Sequence, residues 1–163
     1  MRIGILSDTH NQLPALLQAL EIFRRENIAT LFHCGDMTAP DTAQTLAGFR
    51  VIHVLGNGDF ASGEIAQTLR ALDPENFSGP VYTGCWDGVH IAALHGHDLA
   101  MLYGLIESGR YDYVFRGHSH RRKDERAGRT RILNPGALGG LQVEDRSVCV
   151  LDLSSGAAEF IRL

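Results

Sequence analysis

Cysteine is scarce in this chain, and the three present (Cys34, Cys85, Cys149) are odd in number and widely spaced. That argues against a disulfide framework and for reduced thiols in a cytosol-like compartment. No stretch approaches the ~18 uncharged apolar residues that a membrane span needs, so no membrane partner is expected. Residues 1–7 hold too short an apolar run for the hydrophobic region of a signal peptide, and a cytoplasmic location is the expectation. Positive charge is not in surplus either: Lys+Arg 15 against Asp+Glu 19 gives a formal net charge of −4. Nothing global therefore draws the chain to nucleic acid or to an anionic surface. Repeats, low-complexity tracts and linkers are also missing. At 163 residues, 44% hydrophobic and 21% charged, the chain reads as one domain over residues 1–163.

What is there is an alternation of short apolar runs with helical periodicity. Arg2–Leu6 reads as a strand, followed by Leu13, Leu16, Leu17, Leu20 and Phe23 at helical spacing, with Pro14 tolerated in a first turn. Ala29–His33 and Val51–Leu55 are further strands, separated by a short helix over Asp41–Ala47. Ile65, Leu69 and Leu72 mark another helix. Residues 73–88, with Pro74, Gly79, Pro80, Gly84 and Gly88, suit loops and an edge strand. Val89–Leu94 is a strand, Leu99, Leu102, Tyr103 and Ile106 one helical face, and Tyr111–Arg116 a strand again. The remainder (Lys123–Arg126, Arg129–Leu133, Val148–Leu153, Ala157–Leu163) reads as strands and hairpins. A βαβαβ first half favours parallel strands, and the tail reads as antiparallel. Pattern alone supports an α/β fold with mixed sheets.

Chemistry-bearing fragments stand directly after these strands. They are Asp8-Thr9-His10, Gly35-Asp36, Gly56-Asn57-Gly58-Asp59, His95-Gly96-His97 and Gly117-His118-Ser119-His120. Strand ends converge on one crevice in open α/β sheets, so ligands distant in sequence can meet there around an ion. Asp-x-His and His-x-His place side chains of equal parity on one side. Carboxylate, imidazole and amide donors suit Mn, Fe, Zn or Ni. Asp36 can bridge two ions through its two oxygens, and Asn57 adds a neutral oxygen. Two ions ~3.5–4 Å apart can activate water as hydroxide and clamp an in-line displacement at phosphorus, with no serine or cysteine nucleophile.

In this order the fragments resemble the calcineurin-like metallophosphoesterase superfamily. The opening Ser7-Asp8-Thr9-His10 and the late Asn134-Pro135-Gly136-Ala137 resemble its small prokaryotic phosphodiesterase branch, similar in fold to the scaffold subunit of the retromer coat. The resemblance implies a four-layer α-β-β-α sandwich of two mixed sheets and a dinuclear site, most commonly manganese. One metal would take Asp8, His10, Asp36 and His120, the other Asp36, Asn57, His95 and His118. Larger phosphatases of the superfamily carry, after the asparagine, a histidine thought to protonate the leaving group; Gly58 stands there in this chain. Asp59 and His97 are the candidates to fill that gap, alongside Asn57 as a residue orienting the phosphate. Ala137 replaces the family's usual serine.

Taken singly, Asp8 or Asp36 after a strand would be a cap or turn residue; the coincidence of all the fragments carries the metal reading. His33, His53 and His90 lie within strands and read as packed or surface residues. Cys34 reads as core, and Phe60, Tyr82, Trp86 and Tyr103 as core aromatics more than pocket lining. The basic run Arg121, Arg122, Lys123, Arg126, Arg129 and Arg131, interleaved with Asp124 and Glu125, reads first as a solvated hairpin and second as a phosphate contact. The expected function is hydrolysis of a small phosphodiester with two divalent ions, with a binding scaffold of the same fold or a phosphomonoesterase as alternatives. The acidic balance argues against a nuclease, and a homo-oligomer, dimer or tetramer, stays open.

Overall fold

Apolar alternation along each strand decides the layers. In the computed structural model, which describes residues 1–141 and 145–163, the first half contains β1 (Arg2–Leu6), α1 (Leu13–Arg25), β2 (Thr30–His33), α2 (Pro40–Gln44), β3 (Arg50–Val54) and α3 (Ser62–Leu72). It continues with β4 (Phe77–Gly79), β5 (Val81–Trp86), β6 (Val89–Leu94), α4 (Leu99–Glu107) and β7 (Tyr113–Phe115). The last strands are β8 (Arg122–Ala127), β9 (Thr130–Pro135), β10 (Ser147–Asp152) and β11 (Ala158–Arg162). The first sheet runs β11-β10-β1-β2-β3-β4 and the second β5-β6-β7-β9-β8.

Three apolar layers separate four structural ones. Leu31, Val51, Val148 and Val150 face Leu16, Leu20, Phe23, Ile65 and Leu69 of α1 and α3. Their strand neighbours Phe32, Ile52, Cys149 and Leu151 turn the other way, toward Ile91, Ala93, Phe115 and Leu133 of the second sheet. Ala92, Leu94, Val114 and Ile132 then meet Leu102 of α4 on the outer face of that sheet. The order is helix, sheet, sheet, helix, which is the expected sandwich. Phe32 pins the seam: its ring meets Phe115 edge-on at 5.1 Å, Tyr82 at 5.7 Å and Trp86 at 6.0 Å between centroids.

Several details depart from the sequence pattern. Residues 73–88 form two strands on different sheets, β4 parallel to β3 and β5 antiparallel to β6. The chain changes sheet at Pro80, which has no amide hydrogen to give to either ladder. The tail is not uniformly antiparallel. The β8–β9 hairpin returns the chain so that β9 lies parallel to β7 and antiparallel to β8, while β10 goes back to the first sheet, antiparallel to β1. The helix expected over Asp41–Ala47 is the shorter α2, giving way to tight turns with Thr45 N to Thr42 O and Leu46 N to Ala43 O. Leu13 and Leu17 of α1 face outward, as do Leu99 and Tyr103 of α4. Among the described residues no helix is long and apolar enough to cross a membrane. All three cysteines are free.

Candidate metal centre

Parallel pairing of β1, β2 and β3, and of β6 and β7, brings their C-terminal ends to one crevice at the seam. The first sheet delivers Asp8, His10, Asp36 and Asn57; the second delivers His95, His97, His118 and His120. The turns there are unusual. Asp8 (φ 53), His10 (φ 45), Asp36 (φ 56), His118 (φ 67) and His120 (φ 55) all occupy the left-handed region that side-chain-bearing residues seldom adopt. Strain of this kind persists where surrounding contacts over-determine it, and it gathers at functional sites.

Backbone hydrogen bonds between neighbouring strand ends hold these turns. Asp8 N donates to Gly35 O at 2.9 Å, His10 N to Asp36 O at 3.0 Å and Gly117 N to His95 O at 3.0 Å. Glycines permit the close approach: a Cβ on Gly56 would collide with Asp36 Oδ1, and one on Gly117 with Ser7 Oγ. Asn134 of the Asn-Pro-Gly turn donates to Gly117 O at 2.8 Å and to Ser119 Oγ at 3.1 Å, bracing the loop that carries His118 and His120.

Each carboxylate spends one oxygen on anchoring and aims the other inward. Asp8 Oδ2 accepts from Ser7 Oγ at 2.6 Å and from His118 N at 3.1 Å. Its Oδ1 faces Nε2 of His120 at 3.2 Å, of His95 at 3.9 Å and of His10 at 4.0 Å. Asp36 Oδ1 accepts from Gly58 N at 2.7 Å, while Oδ2 faces Nε2 of His10 at 3.4 Å and of His95 at 3.5 Å. The imidazoles are oriented from behind in the same way. His95 Nδ1 donates to Cys34 O at 2.7 Å and His120 Nδ1 to Leu141 O at 3.0 Å, since a carbonyl can only accept. Nε2 of each neutral ring is thereby left with its lone pair toward the carboxylates, the arrangement typical of metal-bound histidine.

Donor atoms of Asp8, His10 and His120, and of Asp8, Asp36 and His95, come within 4.8 Å of one another. Asp8 Oδ1, His10 Nε2 and His95 Nε2 are buried with no hydrogen-bond partner among the described residues. Lone pairs of carboxylate and imidazole facing one another repel unless a cation or proton lies between them. Burial works against charging His95, yet Asp36 and Asp8 overcome it and raise its pKa. Asp8 likewise raises that of His120. In Asp36 the desolvation cost is outweighed by His95 and by Gly58 N, and its pKa is lowered. The field that draws a proton here is the field that would hold a divalent ion, so the donor set fits metal.

Not every expected residue enters the cluster. His118 is exposed, its ring 5.0 Å from that of His95. His97 is exposed too, with ring centroids 5.5 Å from His95 and 6.2 Å from His118. Asn57 is exposed on the loop whose next amide holds Asp36. Asp59, expected as a candidate proton donor, is 6% exposed and committed elsewhere. Its Oδ2 accepts from Asp36 N at 3.0 Å and Gly56 N at 2.7 Å, its Oδ1 from Thr38 N at 2.7 Å. Burial would raise its pKa, but His53 Nε2 at 3.3 Å and these amides hold it well below the usual carboxylate range.

His33 and His53 form a supporting layer that the sequence reading did not assign. They are partners in the β2–β3 register, with rings 5.4 Å apart. Gly35 N donates to His33 Nδ1 at 3.3 Å, so Nε2 carries the hydrogen toward Thr9 Oγ1 at 2.6 Å. Histidines at matching positions just before Gly-Asp and Gly-Asn were the available signal. Burial pushes the Cys34 thiol up, and its side chain packs in the core between the two sheets. The basic run is a hairpin with paired charges: Lys123 with Glu125 at 2.7 Å, Arg131 with Asp124 at 2.7 Å and Arg129 with Asp112 at 2.6 Å.

Residues 1–156 match the calcineurin-like phosphoesterase superfamily domain, and the chain belongs to that superfamily. Phosphodiesterase MJ0936 of Methanocaldococcus jannaschii is 32% identical over 154 residues, 93% of either chain. A solved archaeal phosphodiesterase superposes with a TM-score of 0.95 at 32% identity, over 100% of both chains. Vps29 of Entamoeba histolytica, at 18% identity and a TM-score of 0.69 over 100% of this chain and 98% of its own, shares the fold.

Proposed function

We propose that this phosphoesterase is a divalent-metal-dependent phosphodiesterase, with Asp8, His10, Asp36, Asn57, His95, His118 and His120 holding two ions. The observation that carries the reading is the set of buried, unpartnered atoms Asp8 Oδ1, His10 Nε2 and His95 Nε2 turned toward one another. The resemblance to phosphodiesterases of one-third identity over nearly the whole chain supports the choice of diester. When bound, the ions would polarise the phosphoryl oxygens and lower the pKa of water toward ~7, making hydroxide available for in-line attack at phosphorus. Manganese is the metal we propose, on family grounds and because the donors are oxygen and imidazole.

The chain's own residues do the rest. Asp36 keeps Oδ2 free for the crevice because Gly58 N fixes Oδ1. His95 and His120 are held by Cys34 O and Leu141 O so that their inward nitrogens stay available. Asp59 is a positioning residue, fixing the amides of Gly56 and Asp36. Exposed His97 and Asn57 are placed to meet the substrate, His97 as the residue beside the leaving oxygen. Three widely spaced free thiols suit action in the cytoplasm.

Hydrolysis of a nitrophenyl phosphodiester is measured against the matching monoester, with metal-stripped protein and manganese added back. Manganese-dependent diester turnover faster than monoester turnover is expected. A folded protein inactive with every divalent metal would favour the scaffold reading. His97→Ala should keep its metal while slowing poor leaving groups more than good ones; equal losses on both would remove the leaving-group role.

A further inference from the structure

The crevice contains a recess that the phosphorus chemistry does not use. Beside His95, the side chains of Leu55, Pro80, Leu94 and Met101 enclose a cavity of about 190 Å³, with exposed His97 also in its wall. The recess borders the candidate centre through His97, whose ring centroid lies 5.5 Å from that of His95. Gly56 forms another shared wall, and its amide is tied to Asp59.

Its apolar walls come from separate parts of the fold: the segment after β3, the sheet-changing Pro80, the end of β6 and the first turn of α4. Their placing is not casual. Asp98 caps α4 by accepting from Met101 N at 3.0 Å, which fixes the Met101 backbone. Met101 is 41% exposed, and its unbranched thioether side chain suits closing over groups of varied outline. Leu94, 2% exposed, gives a rigid floor. Sites for drug-sized ligands begin at ~300 Å³, so this smaller recess matches a single ring or a short alkyl chain.

We propose that the recess binds one ester arm of the substrate, a compact apolar aryl or short alkyl group, while the phosphorus sits at the cluster. The inference rests on the phosphodiesterase reading and narrows it to diesters with at least one small apolar arm. A bulky or strongly polar arm has to lie on the other side, where His118, Ser119, His120, Arg121 and Leu141 line a wider groove of about 440 Å³.

Binding is read first, independently of turnover. The chain has three methionines, Met1, Met37 and Met101, and their methyl carbons can be labelled in the zinc-loaded protein. Phenylphosphonate should shift the Met101 methyl signal through the ring current and leave fully buried Met37 in place. Methylphosphonate should not move Met101. Equal responses to the two probes, or no response to either, overturn the recess.

Kinetics supply the second arm. Met101→Trp fills the cavity and should lower the ratio of kcat/KM for 4-nitrophenyl phenyl phosphate over 4-nitrophenyl methyl phosphate about tenfold or more, the scale of one ring's burial. Leu55→Ala enlarges it and should improve a naphthyl arm relative to phenyl. An unaltered ratio in both variants overturns the inference while leaving the phosphodiesterase reading intact. A wild-type protein that hydrolyses no diester overturns that reading, and the methionine signals still decide the recess.

Discussion

The two sheets make unlike contributions to the crevice. The first ends in carboxylates and an amide (Asp8, Asp36, Asn57) with a single histidine, His10; the second ends in histidines only (His95, His97, His118, His120). Acid stands on one side of the seam and base on the other. Each group of converging donors draws on both sheets, Asp8 and His10 with His120, and Asp8 and Asp36 with His95. The centre is therefore a product of sheet docking, and metal binding should report on the seam.

The largest effect should come from the acid side. Asp36→Ala removes the oxygen that faces both His10 and His95. It should abolish two-ion loading and cost roughly a thousandfold in diester turnover, the several kcal/mol a Lewis acid supplies. Two ions per chain retained in elemental analysis would sink the bridging role. The seam is next. Phe32→Ala, which removes no donor, should cost about 3–5 kcal/mol in unfolding experiments and weaken metal affinity with every ligand in place. Unchanged affinity in the folded variant would mean that the two half-sites do not depend on how closely the sheets dock.

Asp59 tests whether the first sheet's loops need their own brace. Asp59→Ala strands the amides of Asp36, Gly56 and Thr38, and about 3 kcal/mol of stability should go with them. Titration of metal-free protein with urea at several pH values probes the layer beneath. Burial, then the facing His53, holds the His33 pKa down at about 3 against an ordinary 6.5. The unfolded chain takes up a proton below 6.5 that folded His33 refuses. Stability should thus fall as pH drops from 6.5 toward 3, by about 1.4 kcal/mol per unit from this group. His33→Gln should flatten that slope; an identical slope would exclude His33 as its source. The smallest effect is expected far from the crevice: Lys123→Ala or Arg129→Ala on the exposed hairpin should change stability by less than about 1 kcal/mol.

Legibility followed range. The fragments Asp8-Thr9-His10, Gly35-Asp36 and His95-Gly96-His97 stood out because each is a few residues long and follows a recognisable strand. α1 and α3 could be read from their periodicity, although Leu13 and Leu17 turned outward because the buried stripe follows Ala15, Leu16, Ala19, Leu20 and Phe23. The sheet change at Pro80 and the parallel seat of β9 were hidden, since pairing partners are chosen by packing rather than local pattern. Asp59 looked catalytic from its place after Gly-Asn-Gly; only its contacts with amides 21 and 23 residues away revealed the brace. The recess had no sequence signature, because Leu55, Pro80, Leu94 and Met101 share no local motif.

By itself the sequence determined which chemistry is on offer: oxygen and imidazole donors at strand ends, in an order that marks the superfamily. Those choices are local, set by side-chain type and by the parity of a strand. Tertiary structure alone decided which lone pairs face each other, which carboxylate stays inward and which braces a loop, and where an apolar arm can go. Docking two sheets brings residues far apart in the chain to within 3–4 Å, and no short-range rule in the sequence encodes those distances.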